Sequence, residues 1–464
     1  MVNKRYKLII LSTIVLLAFT SITISAEEYD LEKLLLNGLK NNIEIKQLEN
    51  EIKTINRNIQ LAKARSGWQA NMNINKELIE EDSIVISQGE DQLNLSANRK
   101  LADDKVTLNP SATYDFDGSE VIYGVNMSID LYPDIPSESI KSLIQINNQL
   151  NQKKKELYNK KAELIKNWLD KYLQLVRLDE RIDVLVQQVK ISEDNLEETQ
   201  KQVSINEAGQ QELLQAEINL NETEYSLKQS EQQYDQIKRQ LITDLRLKET
   251  EINLVLKEDN KVLAKLKQLT ENMDINNLNK QLLIDNIVKN SSQFANIINQ
   301  KEYLKQELEW LKKEDSPKVS LEGSYDSEKD FTASLNINYN IFDSGVQKLQ
   351  EENKKQEIEN TELSLEQLYQ QTENNLDALI DQVELAQLNK ESSLLKYQKE
   401  VEENKILKRQ FEAGAIEENV LKNNQLNKEN KLIDVKNNDD NIFLKKLELF
   451  ILTSPDDIVE EVLN

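Results

Sequence analysis

The sequence predicts a mostly α-helical fold with a β-barrel part: duplicated long helical hairpins, with four strands per protomer given to a barrel shared between copies. Three observations predict it. From Val121 the odd positions Val121, Tyr123, Val125, Met127, Ile129 and Leu131 are apolar, while Ile122, Gly124, Asn126, Ser128 and Asp130 lie between them. The pattern returns as Phe331, Ala333, Leu335, Ile337, Tyr339 and Ile341 against Thr332, Ser334, Asn336, Asn338 and Asn340. Strict period two puts one side of a strand in an apolar medium and the other in a wet one. Each stretch is also as long as a tilted strand needs to be to cross a bilayer. The second observation is that both stretches sit inside helix triplets of matching length. The third is composition: nine Gly, five Pro and 5% aromatic residues in 464 suit long helices with few turns and a thin, extended core.

The chain opens with Lys4, Arg5 and Lys7, an apolar run from Leu8 to Ile24, and Ser25-Ala26 before Glu27-Glu28. A charged start, an apolar middle and a small terminal residue predict a signal peptide over residues 1–26. Its removal takes three basic residues from 58 and none of the 82 acidic ones, so the net charge of −24 moves to about −27. A first structural repeat then fills 27–248. Helical patterning runs from about Asp30 to Ser66, alternating strands occupy 68–131, and Tyr132-Pro133-Asp134-Ile135-Pro136 breaks the chain. Ser137-Glu138 starts a long helix over 138–204. Within it Trp168, Leu175, Ile182, Val189, Leu196 and Val203 fall at heptad spacing, the seam of a coiled coil. After Glu207-Ala208-Gly209 a return helix over 210–248 repeats the spacing with Leu213, Leu220, Leu227, Tyr234 and Leu241. Two seams across a short Gly-containing break predict an antiparallel hairpin.

Residues 249–279 read as an Asn-rich connector, and the order then repeats over 280–454. A helix to about 314 ends at Ser316-Pro317, strands fill 318–341, and Asp343-Ser344-Gly345 turns the chain into a helix over 346–411. Glu412-Ala413-Gly414 breaks it, a return helix spans 416–452, and a C-terminal tail covers 455–464. The helices measure about 37, 67 and 39 residues in the first half and about 35, 66 and 37 in the second. At 1.5 Å per residue the longest reach on the order of 100 Å. The first strand region carries about forty extra residues.

Hydrocarbon tolerates no unpaired backbone group, so membrane-crossing strands must belong to a closed barrel. Four strands close around nothing, hence several copies must share one barrel, and three copies would supply about twelve strands. The rows Asn126 and Ser128, and Asn336, Asn338 and Asn340, then face the lumen. A soluble sandwich would give the same alternation, but the neighbouring helices have committed their apolar seams elsewhere and leave nothing to cover the apolar side.

Several function classes are excluded. An acidic chain has no basic surface for phosphates, so no nucleic-acid partner is expected. The absence of Cys removes disulfides and Cys-linked lipid, and the absence of His removes the commonest general base and transition-metal ligand. No nucleotide-binding loop or catalytic constellation is present; Glu27-Glu28 and Glu80-Glu81-Asp82 read as solvated charge. Catalytic residues, cofactor and metal site are all expected to be none.

Signal peptide, the duplicated helix–strand–strand–helix–helix order and an Ala-Gly at each hairpin turn together resemble the TolC-like outer-membrane efflux protein family, over nearly all of the mature chain. The segment Tyr339-Asn340-Ile341-Phe342-Asp343-Ser344-Gly345 resembles the family's passage from second strand pair to long helix. Lys408-Arg409-Gln410-Phe411-Glu412-Ala413-Gly414, followed by Asn419-Val420-Leu421, is similar to its tip signature. Leu34-Leu35, Asn41-Asn42 and Ala62-Lys63-Ala64-Arg65 resemble its opening helix.

The resemblance implies a homotrimer in the cell outer membrane, set in outer-membrane lipid, whose strands form a 12-stranded transmembrane β-barrel and whose hairpins form a periplasmic α-barrel. It implies an exit duct docking on a periplasmic adaptor protein and served by an inner-membrane transporter, in efflux or type I secretion. The adaptor-docking tips would be Glu207, Ala208 and Gly209 and Glu412, Ala413 and Gly414, with Gly suiting a reversal because it accepts positive φ. Family members often narrow the tunnel entrance with aspartates just after the second tip; here Asn419 and Lys422 stand there, with Glu417 and Glu418 as the nearby acids. The first tip also runs two residues shorter before its Leu213-Leu214 pair. Trp68, Tyr123, Tyr132, Tyr325 and Tyr339 are candidates for an interfacial aromatic belt. The alternatives are a periplasmic adaptor, which needs one hairpin and a soluble barrel, and a structural coiled-coil protein, which leaves the alternating strands unexplained.

Overall fold

The computed structural model describes residues 27–75, 92–116, 118–247, 252–258, 260–271, 279–328 and 331–463. The signal peptide expected at 1–26 and Glu80-Glu81-Asp82 lie outside them. The chain forms two compact units, and neither coincides with a sequence repeat: one gathers 47–158 and 281–375, the other the segments before, between and after. Both halves contribute to each unit.

The first unit holds a six-stranded antiparallel sheet. Its strands are β2 (Gln69–Asn75), β3 (Gln92–Leu101), β4 (Val106–Asp115), β5 (Glu120–Tyr132), β7 (Lys318–Asp326) and β8 (Thr332–Asn338), in the order β2-β3-β4-β5-β7-β8. Among the described residues the sheet thus holds six strands, two more than the four per protomer expected for the barrel. The additional pair is the β3–β4 hairpin, built by the extra residues of the first strand region, and it lies inside the sheet because it carries the same period-two pattern as its neighbours. Helix α2 (Ile43–Arg65) leads into β2, and α6 (Lys280–Asn290) with α7 (Ser292–Glu314) leads into β7. The helix expected at 280–314 breaks where the Ser291 hydroxyl accepts hydrogen bonds from the Gln293 and Phe294 amides and caps α7. The helix expected from Asp30 likewise divides at Asn42, whose side chain accepts from the Glu44 and Ile45 amides.

Two 67-residue helices, α3 (Glu138–Ser204) and α8 (Val346–Glu412), contribute to both units. In the second unit each turns into a return helix, α4 (Gln210–Asp244) after α3 and α9 (Glu418–Thr453) after α8. The core of this unit lies where α1 (Leu31–Asn41) meets the upper part of this stretch of α3: Leu31, Leu34, Leu35, Trp168, Leu169, Tyr172 and Leu175 are all buried. A Cβ on Gly38 would stand 2.6 Å from the Trp168 ring and 2.5 Å from Leu245, so only a residue without a side chain lets α1 approach so closely. The connector expected at 249–279 is not featureless. Its Ile252–Leu254 is β6, pairing in parallel with β1 (Glu27–Tyr29), and α5 (Lys261–Glu271) buries Val262, Leu263 and Leu266. The C-terminal tail is also a helix, α10 (Pro455–Leu463), with Ile458, Val459 and Val462 buried.

The coiled-coil seam holds at Trp168 and Leu175 and then shifts. Val184 and Ile191 of α3 are buried with Leu426 and Ile433 of α9, in a cluster bridging the two sequence halves. Polar pairs extend the same contact: Lys166 to Glu448, Arg177 to Asp440 and Arg181 to Asp434, each at 2.7 Å, and Asn195 to Asn419 at 2.8 Å. As the α3 number rises the α9 number falls, so the helices run antiparallel. On its other side α9 meets α8 through Asn404–Asn424, Ser393–Asn438 and Gln382–Lys445, each at 2.8 Å. Among the described residues no helix is long and apolar enough to cross a membrane.

Candidate functional site: a two-faced sheet and two helical tips

The strand register aligns the alternation across all six strands. Met72 stands opposite Leu95, Leu95 opposite Ala112, Ala112 opposite Tyr123, Val125 opposite Tyr325, and Leu321 opposite Leu335. The result is one continuous apolar face. Met72, Leu335 and Ile337 on it are 67%, 58% and 66% exposed, so none of the described elements covers them. Exposed apolar area on this scale marks contact with another apolar phase or partner.

The opposite face joins Asn73 to Asn94, Asn94 to Thr113, Asn109 to Asn126, Asn126 to Ser324 and Ser320 to Asn336. The Thr113 hydroxyl donates to Asn94 Oδ1 at 2.7 Å, and Asn98 and Asn109 also bond across the strands. Asn126, Ser128, Asn336 and Asn338, singled out from sequence, lie in these polar rows. Asn340 does not: β8 ends at Asn338, and the chain leaves the strand before it.

Aromatic side chains sit toward the two ends of the strands. Trp68, Tyr132 and Tyr339 lie at the helix-proximal end, all exposed, with the Arg99 guanidinium 5.5 Å from the Trp68 ring. Tyr123 and Tyr325 lie toward the far end with ring centroids 6.5 Å apart. Tyr114 and Phe116, which sequence reading passed over, join that end in an edge contact at 5.0 Å.

The helix-proximal end is held by the turn between β3 and β4. Ala102, Asp103 and Asp104 all have φ between 51° and 65°, a run of left-handed residues that costs energy without glycine. Side-chain and backbone bonds on both flanks hold it. The Asp104 carboxylate accepts hydrogen bonds from Ser66 Oγ and Ser137 Oγ, both at 2.9 Å, and from Ser139. The Lys105 carbonyl accepts from the Asp130 amide at 2.8 Å, and Lys105 pairs with Asp134. Burial, the largest single influence, pushes the Asp104 carboxyl up, but the three serines and Lys100 outweigh it and hold it below the ordinary carboxylate range.

After β8, Asp343 shows what the Tyr339–Gly345 segment does physically. Its carboxylate accepts from the Gln347 amide at 2.7 Å and the Gly345 amide at 2.8 Å, capping α8, while Ser344 and Gly345 turn the chain with positive φ. Those two amide bonds hold the Asp343 carboxyl below its usual range.

At the opposite ends of the long helices the two tips differ. At the second, Gly414 has φ +71°, as expected for a glycine reversal. At the first, the left-handed residue is Asn206 at φ 59°, and Gly209 instead takes φ −92° as the N-cap of α4. The expected role of Gly209 is thus corrected: Asn tolerates the left-handed region, and Gly209 leaves its amide to the Glu212 carboxylate. Glu207 and Ala208 donate backbone amides to the Gln202 carbonyl; at the second tip the Ala413 amide goes to the Arg409 carbonyl at 3.0 Å. Beyond that tip, Glu417 stands at the N-cap position of α9 with its carbonyl accepting from the Val420 amide, Glu418 pairs with Lys422 at 2.8 Å, and Asn419 bonds to Asn195. Two of the four expected entrance residues therefore neutralise one another.

Above the tips, α3, α4 and α9 enclose an open polar groove of about 1060 Å³, lined among others by Arg177, Arg181, Asp434 and Asp440. Arg177 and Asp440 are 5% and 3% exposed and pair at 2.7 Å; Arg177 also holds Glu180 and Glu258. Burial pushes the Asp440 carboxyl up, against the pull of Arg177 and Lys267. Among the described residues no group of acidic, His or Cys side chains could hold a metal ion.

Three solved structures share this fold. The outer membrane protein VceC from Vibrio cholerae is 11% identical, with a TM-score of 0.58 over 91% of this chain and 96% of its own. The Campylobacter jejuni CmeC outer membrane channel is 13% identical, with a TM-score of 0.61 over 93% and 89%. The Neisseria gonorrhoeae MtrE outer membrane channel, in its open state, is 12% identical, with a TM-score of 0.57 over 90% and 88%. No protein-family model matches the sequence, and no curated protein matches it either. At these identities the likeness is one of fold, extending over nearly the full length of each partner.

Proposed function

We propose that this chain is the outer-membrane exit duct of a tripartite efflux or type I secretion system, a passive channel with no catalytic step. The observation that carries the reading is the sheet whose apolar face is continuous and uncovered while its other face is lined by Asn, Ser and Thr. Lipid satisfies the first face and a water-filled lumen the second. The aromatic side chains near both strand ends suit the two interfaces of a bilayer. The shared fold with outer membrane channels supports the same location.

The duct is a homotrimer. An open sheet in lipid has unpaired edges, so copies must close it, and the outer helices of the second unit are also ready for neighbours. Leu214, Ile218 and Tyr225 on α4 and Leu385, Leu388 and Leu395 on α8 are all exposed at helical spacing. The tips Glu207–Gly209 and Glu412–Gly414 dock on a periplasmic adaptor, which couples the duct to an inner-membrane transporter. Membrane fractionation with cross-linking tests the reading. Recovery in the outer-membrane fraction with ladders ending at trimer is expected; recovery in the soluble periplasm without detergent overturns it.

A further inference from the structure

We infer that each copy gives six strands, not four, to the shared barrel, so that the β3–β4 hairpin lines the pore and the trimer closes around eighteen strands; this rests on the outer-membrane duct reading.

Three observations carry it. First, the hairpin has the dimensions and polarity of a spanning pair. β3 and β4 are 10 residues each, within the roughly 9–11 that a tilted spanning strand needs. Leu93, Leu95 and Ala97 continue the apolar face, and Asn94, Ser96 and Asn98 the polar one, in phase with strands on both sides. A hairpin projecting into water would have no reason to keep one side greasy.

Second, the hairpin is fastened on both sides. Its turn is held through Asp104 to Ser66 at the end of α2 and to Ser137 and Ser139 at the start of α3. β3 pairs with β2 along all seven residues of that strand, and β4 pairs with β5 over ten successive positions. Removing the hairpin from the wall would break both ladders and leave their amides and carbonyls in hydrocarbon.

Third, the two edges left over fit each other. Every neighbouring pair in the order β2-β3-β4-β5-β7-β8 is antiparallel, so β8 of one copy meets β2 of the next in antiparallel sense under a rotation axis. Both edge strands are exposed along their whole length, and both alternate: Ala70, Met72 and Ile74 against Asn71, Asn73 and Asn75, and Ala333, Leu335 and Ile337 against Ser334, Asn336 and Asn338. Pairing them continues both faces without a break. Barrels of about 16–18 strands leave an aqueous channel, lined here by amides and hydroxyls more than by charge.

The natural absence of Cys makes the test direct in the full-length chain. The pair Asn71→Cys with Ser96→Cys, directly opposite across β2 and β3, should close a disulfide within one copy in outer-membrane preparations. Asn73→Cys with Asn336→Cys, or the same scan one pair along in either strand, should close between copies and give a reducible ladder ending at trimer. Asn94→Cys should react with a membrane-impermeant maleimide as fully as Asn126→Cys, while Leu95→Cys should stay unlabelled. If β2 instead cross-links to β5, through Asn73→Cys with Asn126→Cys, or if Leu95→Cys labels as fast as Asn94→Cys, the hairpin is outside the wall and the inference falls while the duct reading stands. Failure of the unmodified chain to reach the outer membrane would overturn both.

Discussion

Asp104 Oδ2 accepts a hydrogen bond from Ser137 Oγ at 2.9 Å, tying the turn between β3 and β4 to the residue that starts α3. Sheet and long helix are thus joined by one carboxylate, which also collects Ser66 and Ser139.

Acid should loosen this joint. The Asp104 pKa lies below its ordinary value of 3.8 in the folded protein, so the stability it lends is complete above that value and is lost as pH falls through the folded one. Hydrogen exchange of the segment 100–107, measured relative to β5, should stay flat from neutral pH to about pH 5 and rise below about pH 4. Asp104→Asn should raise exchange at neutral pH as well and abolish the acid step. An acid step that survives in the variant would assign it to another group.

The two tip glycines should respond differently to alanine. Gly414→Ala forces a side chain into the left-handed region and should cost about 1 kcal/mol, although a Cβ there meets nothing within 4 Å. Gly209→Ala keeps an ordinary φ and should cost less, about 0.5 kcal/mol, for a poorer N-cap whose Cβ stands 3.3 Å from the Glu212 carboxylate. Thermal unfolding of the two variants side by side checks this; equal losses would contradict the assignment of Asn206 as the left-handed residue of the first tip.

Adjacent residues of β5 face opposite media. Met127→Arg puts a charge on the apolar face and should cost about 2–4 kcal/mol of membrane stability. Ser128→Arg, one residue on, should assemble normally and alter only ion selectivity. Yields of detergent-extracted trimer together with single-channel recordings distinguish them, and a reversed order would exchange the two faces.

The Arg177–Asp440 pair should break asymmetrically. Arg177→Met leaves Asp440 buried with only Lys267, 3.8 Å away, and should destabilise by about 3–5 kcal/mol. Asp440→Asn should cost less, because Arg177 keeps Glu180 at 3.1 Å and also Glu258. Replacing both by apolar residues of similar size should recover much of the loss, as urea midpoints of the three variants would show.

Much of this was legible in the sequence because it depends on local spacing. Period-two rows at Val121–Leu131 and, within Phe331–Ile341, over Thr332–Asn338 determined which residues share a face, and long helical patterns between Gly-containing breaks determined two long helices of 67 residues. Spacing is a property of one element, so no partner need be known. What only the tertiary structure decided is pairing. That α3 packs on α9 through Val184, Ile191, Leu426 and Ile433, that β3 and β4 enter the sheet, and that Asp104 gathers serines from two helix ends all join residues far apart in the chain. Even at the first tip, where Gly209 was the sequence's choice for the reversal, the backbone placed it on Asn206, and Gly209 became the extended N-cap whose amide the Glu212 carboxylate takes. Periodicity tells each element which side to hide; the competition among all the elements for backbone partners and covered surface settles against what.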